Sequence, residues 1–385
     1  MSTARPSDQP GPSEPEARPS ERPSAFRSLL RMLSEGSHVL PAALLAILLA
    51  LAPLERAYME RPLPSSVPSD VRGNSHPLMT QETHRAIERG LKWIAKQQSP
   101  SGEWRESEWS LPVSSLAALA LTTAGHPGKG RYSASIKRFT DKVLKSASRT
   151  GLIRFHSDTR PALGHGFAVL FLTQVYGMMD EQRNRRVHAA ITNGIRFILA
   201  HQTPKGGWYE DYSRRASHYW IITVSQIQAL REARRLGFPV PVRHIERAIK
   251  FVQDEKPCTC SSPCYGMNGA QIVTLLAAGD YKNPVIGRNT KKLYPLIKYD
   301  FKKLNYPIYT HLYAAQAFNF GGGDTWENYY RKLRGYLLKT QTTHGSWQRF
   351  YHCHSSRPPE KVYSTAVSCI ILQMPQKYLP MMHYR

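Results

Sequence analysis

The sequence predicts an all-α fold assembled from helical hairpins, and three observations predict it. The first is a repeat: Gln98, Gly102 and Trp104 recur with the same spacing as Gln202, Gly206 and Trp208, and again as Gln341, Gly345 and Trp347. A unit returning with fixed internal spacing marks a repeated supersecondary element. Second, each copy is preceded by an apolar or aromatic pair among basic and polar residues (Trp93-Ile94, Phe197-Ile198, Tyr336-Leu337), the pattern of an amphipathic surface helix. Third, a breaker cluster closes each helix and a long apolar run follows it; the clusters are Ser99-Pro100-Ser101-Gly102, Thr203-Pro204-Lys205-Gly206-Gly207 and Thr342-Thr343-His344-Gly345. The unit is one amphipathic helix, a turn and one buried helix. No stretch reads as a β-strand.

Taken in order, residues 1–37 are rich in Pro, Ser, Glu and Arg and hold too few apolar side chains to pack, so they are predicted to be disordered. Residues 38–54 are almost wholly apolar from Val39 onward, but a bilayer span usually needs about 20 residues. With Arg27 and Arg31 on its amino side, the stretch suits a signal-type segment. Ala50-Leu51-Ala52 resembles a cleavage site, and Pro53 just after it should hinder the peptidase. The expectation is an uncleaved anchor with the folded part exported; cleavage to a secreted or periplasmic product is the alternative, and a detached core helix a third reading. Residues 55–79, with four prolines, read as a linker.

The folded part is expected at 80–385. Hairpin one pairs 83–98 with 113–123. Hairpin two pairs 133–148 with 166–176, keeping Gly151 in its turn but losing the Gln and Trp. Hairpin three pairs 187–202 with 221–236, and hairpin four pairs 243–256 with 270–278. Hairpin five pairs 286–302 with 311–320, its first helix interrupted by Pro295. Hairpin six pairs 326–341 with 362–374. Six such units could form an open solenoid or close into a ring.

Charge narrows the partners. The net charge is +24, yet residues 1–80 balance eight Arg against eight acids, leaving 44 basic and 20 acidic residues in 81–385. An excess of this size favours anionic partners such as a membrane surface or a diphosphate, or is simply a solvated basic face. No zinc-finger spacing, RNP-like segment or contiguous basic run points to nucleic acid.

On these residues the chain resembles the squalene-cyclase and protein-prenyltransferase superfamily over 80–380. Arg160-Pro161-Ala162-Leu163-Gly164-His165-Gly166-Phe167, the stretch from Gln226 to Arg234, and Ile370-Ile371-Leu372-Gln373-Met374-Pro375 are similar to bacterial single-toroid cyclase-like proteins. The resemblance implies an α/α toroid, with six inner helices around a central cavity and six outer helices around those. It also implies that the repeated Gln and Trp brace the outer-to-inner turn.

The catalytic signatures of the superfamily are missing. Squalene-hopene-type cyclases protonate an alkene with an acid of an Asp-x-Asp-Asp motif; no Asp-x-Asp occurs here, and Ser217-His218-Tyr219-Trp220 stands where relatives tend to carry one. No Asp-Asp-x-x-Asp occurs for magnesium-dependent diphosphate ionisation either. Cys258, Cys260, Cys264 and Cys353, with His352 and His354, are soft ligands in no standard zinc spacing; in an exported chain a disulfide among them, free thiols and a metal site remain alternatives. Cys369 reads as a core thiol. The expectation is no metal and no cofactor.

The remaining candidates are the residues where inner helices begin. His165, His218 and His311 are the candidate proton donors or acceptors, with His165 and His311 opposite each other if the ring closes. Tyr219, Trp220, Tyr306, Tyr309, Tyr313 and Tyr363 would line an aromatic pocket for an isoprenoid chain or a carbocation. Arg214 and Arg215 would meet an anionic headgroup at the rim. Against this stands the plain alternative that the rings fill the core, each His is a hydrogen-bonded structural residue and the Arg pair is solvated. The favoured function is binding, with isomerisation or cyclisation, of a polyprenyl or triterpenoid-type lipid at an anionic membrane surface. The alternatives are a non-catalytic scaffold holding a protein or glycan partner on its rim and, third, a zinc-dependent prenyltransferase β-like subunit, which the apolar N-terminal segment disfavours.

Overall fold

A computed structural model describes residues 76–104, 109–159, 161–212, 219–254, 265–298, 308–348 and 361–376. Among them the chain is helical with no strand, and a single isolated bridge joins Ala147 and Ile153. The outer helices are α1 (Gln81–Gln97), α3 (Ser133–Ser146), α5 (Glu181–Ala200), α7 (Val242–Asp254), the pair α9 (Pro284–Leu293) and α10 (Pro295–Lys298), and α12 (Gly323–Thr340). The inner helices are α2 (Ser110–Thr122), α4 (Pro161–Val175), α6 (Tyr219–Arg235), α8 (Tyr265–Ala278), α11 (Ile308–Gly321) and α13 (Lys361–Gln373), the last followed by a 3-10 turn at Met374–Gln376. Residues 38–54, read as an anchor, and the cysteines at 258, 260, 264 and 353 lie outside the described residues. No described helix is long and apolar enough to cross a membrane.

Sequence dictates the two helix types. In α1 the buried residues Thr83, Ala86, Ile87, Gly90, Leu91 and Ile94 fall every three or four positions, so one stripe faces inward. Thr80 starts that helix by accepting the Thr83 N–H, as Asp180 does for α5 through Arg183. By contrast α4 is buried at every residue, as expected of a helix that is apolar all round. It begins at Pro161, five residues ahead of the expected start at Gly166; proline is favoured in a first turn, where the missing N–H costs nothing. Pro295 breaks outer helix five into α9 and α10, because it cannot donate the bond that would continue the helix.

The repeated turn carries a recurring set of bonds. Gln98 Nε2 donates to Gly102 O at 2.8 Å and to Ser135 O on the next outer helix at 2.9 Å, while Trp104 Nε1 donates back to Ile94 O at 2.7 Å. Gln202 and Trp208 repeat this toward His244 O and Ile198 O, at 2.8 and 2.7 Å. Gln341 and Trp347 do so toward Ala86 O and Leu337 O, both at 2.8 Å. Each turn is thus tied to its own outer helix and to the one that follows. The glycine holds φ between +94 and +101 in these three turns and presses on the next outer helix: a Cβ at Gly206 would lie 2.0 Å from Arg247 O.

The third copy joins the end of the chain to its beginning. Gln341 reaches Ala86, Arg89 Nη2 donates to Gln341 Oε1 at 2.5 Å, and Arg334 Nη1 donates to Leu78 O at 2.5 Å. Each inner helix packs on the next, and α13 returns to α2 and α1. The open-solenoid reading is thereby excluded. Among the described residues the hairpins form a closed α/α toroid.

Candidate functional site

The inner helices run parallel and begin on one face of the ring, after the outer-to-inner connections. Of the residues read from sequence as a site, Tyr306, Arg214, Arg215 and His218 lie outside the described residues. The side chains of Tyr219, Trp220 and Tyr309 do so as well. His165, His311, Tyr313 and Tyr363 are described.

The two histidines hold corresponding places, at the starts of inner helices two and five, which a closed six-membered ring sets on opposite sides. Both turn to the outer layer. His165 Nδ1 accepts the Ile153 N–H at 3.1 Å, so Nε2 carries the proton and meets Gly194 O on α5 at 3.2 Å. His311 Nδ1 meets Tyr329 Oη on α12 at 3.0 Å. Burial pushes both imidazoles down to about 4, so each is neutral at ordinary pH. With both ring nitrogens engaged, His165 ties α4 to α5 and to the turn before it. Tyr313 is buried in α11, and Tyr363 at the start of α13 is partly buried against the core, its hydroxyl pKa pushed up by burial.

Three groups near these helix starts escaped the sequence reading. Asp158, buried before α4, accepts the Leu111 N–H at 3.1 Å and the Phe155 N–H at 2.9 Å, capping α2 from a distant loop. Burial raises its carboxyl pKa, and the two backbone bonds pull the other way. A raised carboxyl suits a proton donor, but here both oxygens already serve the backbone. Tyr212 is the one non-glycine residue with positive φ, +60°, among the described residues. Its ring lies edge-on to Phe197, His201 and His165, with centroids 4.9, 5.2 and 6.2 Å away. Gln226 on α6 donates to Ala162 O at 2.7 Å. Burial raises the Tyr212 hydroxyl pKa and the Gln226 side chain tempers the rise, yet neither the Tyr212 hydroxyl nor Gln226 Oε1 completes a hydrogen bond of normal geometry. Positive φ at a tyrosine is a property of the folded chain, and no sequence motif announces it.

At half depth the ring is crossed. Gln228 Nε2 on inner helix three donates to Gln316 Oε1 on inner helix five at 2.9 Å, both side chains buried. Helix α8 packs between those two helices. Its own Gln271 points outward, donating to Val252 O and accepting from Asn289 on the outer layer. Because outer helices cover that face of α8, the Gln228–Gln316 bond crosses on the side of the ring axis. From the second turn down to about residues 121, 175, 230, 277, 318 and 373, the described inner-helix side chains are buried. At the helix starts, Ile221, Asn268 and Tyr363 keep partial exposure, and Lys361 is exposed.

Solved structures share this architecture. A type II terpene cyclase from Scytonema, MstE, superposes with a TM-score of 0.53 at 12% identity, covering 78% of this chain and 100% of the other. The chain has the toroid fold of the terpene cyclases. A protein from Actinoplanes superposes with a TM-score of 0.54 at 13% identity, over 76% of this chain and 99% of that one. MstE variants in complex with the substrate geranylgeranyl dihydroxybenzoate and with the product merosterolic acid A superpose with TM-scores of 0.53 and 0.51, at 12% and 14% identity, each over 78% of this chain and 98% of the other. No protein-family model and no curated protein matches the sequence. At such identities the likeness to the terpene-cyclase toroid is one of fold.

Proposed function

We propose that this toroid binds an isoprenoid-type lipid, taken in through the face where the inner helices begin. The observation that carries the reading is the shared toroid, since variants of the terpene cyclase MstE, of the same architecture, are in complex with geranylgeranyl dihydroxybenzoate as substrate and merosterolic acid A as product. Tyr313 and Tyr363 supply aromatic surface on two of the inner helices. Binding is favoured over proton-initiated cyclisation because the sequence has no Asp-x-Asp and the buried Asp158 carboxylate is occupied by backbone N–H groups. The basic excess of the folded part suits an anionic membrane as the lipid's source, and residues 38–54 are proposed as the anchor that holds the ring there.

Native mass spectrometry of the purified protein, followed by extraction, tests the reading. A copurifying isoprenoid, or a rise in melting temperature with farnesol, supports it. Absence of both counts against it. Retention on vesicles containing phosphatidylglycerol should fall steeply as salt rises from 0.05 to about 0.5 M, because exposed charges are screened.

A second reading, a scaffold that holds a protein or glycan partner on its rim, is favoured by the burial of the inner helices below their first turn. It predicts no lipid in the same extraction.

A further inference from the structure

We infer that the inner ring parts along one seam, between inner helices five and six, with Gly321–Gly323 as the joint beside it. This parting belongs to the protein alone and holds whether or not a lipid is its guest.

The seam is the loosest in the inner ring. Of the six neighbouring inner pairs, α11 and α13 pack against each other least. Elsewhere glycine brings neighbours close: a Cβ at Gly166 would lie 2.6 Å from Ser225 Oγ on α6, and one at Gly269 would lie 3.0 Å from Tyr313 Cβ on α11. On α13 the face toward α11 carries two serines one turn apart, Ser364 and Ser368.

Their direction follows from helix geometry, at about 100° per residue. Thr365 accepts the Trp347 N–H at 3.1 Å and Cys369 lies against Gly90 of α1, so both face the outer layer. Gln373 accepts from the hydroxyl of Thr123, just after α2, and so marks the α2 side. Ser364 and Ser368 sit about 140–180° round the helix from Gln373. They turn away from α2 and toward α11, the other inner neighbour. Both are fully buried, and neither hydroxyl has a hydrogen-bond partner. A hydroxyl buried without a partner weakens the closed arrangement, and water entering as the helices separate restores its bonds. Parting this seam loses less packing than parting those closed by glycine, and it regains hydrogen bonds.

The joint beside the seam is short and unbraced. One residue, Gly322, separates α11 from α12, where the other links from an inner to the next outer helix run to five residues or more. Gly322 and Gly323 hold φ at +66° and +60°, and a Cβ on Gly321, Gly322 or Gly323 would meet nothing within 4 Å. Below their first turn the described inner-helix side chains are buried, so a guest reaches the middle of the ring where two inner helices separate.

Thiol reactivity tests this. In a background of Cys258→Ser, Cys260→Ser, Cys264→Ser and Cys353→Ser, Cys369 is the single thiol. Adding Cys369→Ala/Ser368→Cys moves that thiol one residue round the same helix, to the seam. Adding Cys369→Ala/Ser225→Cys instead places it between inner helices two and three. With a maleimide and no denaturant, the Ser368→Cys protein is expected to react at least about tenfold faster than either of the others, through local opening. Equal rates in the Ser368→Cys and Cys369 proteins overturn the inference, since both thiols are then reached only by unfolding of the whole ring. A second measurement keeps all five cysteines: Ser364→Ala/Ser368→Ala is expected to melt no lower than the wild type, because it removes hydroxyls that bond to nothing. A melting temperature lower by several degrees also overturns the inference, because the serines would then be holding the seam shut.

Discussion

Gln202 shows how much a single side chain does in this fold. Its Nε2 holds Gly206 O and His244 O, and its Oε1 meets His244 Nδ1 at 2.7 Å. Gln202→Ala removes all three and strands two carbonyls, so an unfolding free energy lower by about 2 kcal/mol is expected in chemical denaturation. Trp208→Phe, which loses one bond to Ile198 O and keeps most of the packing, should cost less, about 1–2 kcal/mol. The buried histidines make a prediction in pH. Their folded values near 4 lie below the unfolded value of about 6.5, so the unfolded chain binds more protons between those limits. Stability is therefore full above about pH 6.5 and declines as pH falls toward 4, at up to about 1.4 kcal/mol per pH unit for each histidine. A melting temperature that stays level from pH 7 to 4.5 would contradict the assigned burial; in His311→Gln the decline should be shallower.

At the scale of elements, the turn glycines separate two effects. Gly206 has φ +101° and no room for a Cβ, whereas Gly279 has φ +86° and nothing within 4 Å. Gly279→Ala should cost only the left-handed backbone penalty, about 1–2 kcal/mol. Gly206→Ala meets the Arg247 carbonyl as well and should cost clearly more, enough to loosen α7 from the turn. Equal melting temperatures for the two variants would show that the turn yields freely. Hairpins one, three and six were legible because their turns carry glutamine, glycine and tryptophan at fixed spacing. The start of α4 was not, since Pro161, Gly164 and His165 interrupt the apolar pattern and hide the first turn.

For the whole molecule the decisive feature is closure. In an open solenoid each unit needs only its neighbours, and terminal units can be lost with modest effect. Here α12 and α13 are also the neighbours of α1 and α2. A chain ending at residue 322 is expected to lose its cooperative melting transition altogether, and circular dichroism with heating checks this. A truncated chain that still melts sharply would mean the first five hairpins fold as an independent stack.

How much could be read in advance follows from the range of the interactions. Helix type, hairpin order and the three marked turns depend on residues within about ten positions of one another, and the sequence by itself determined them. The likeness to a known superfamily extended that to a ring. Whether the ring closes, which way His165 and His311 turn, and that Gln228 meets Gln316 were decided only by the tertiary structure. Those contacts join residues from 18 to 256 positions apart, and a glutamine in an apolar helix reads the same whether its partner lies outward or across the axis. A buried amide or imidazole must be paired, and only the packed ring determines with what.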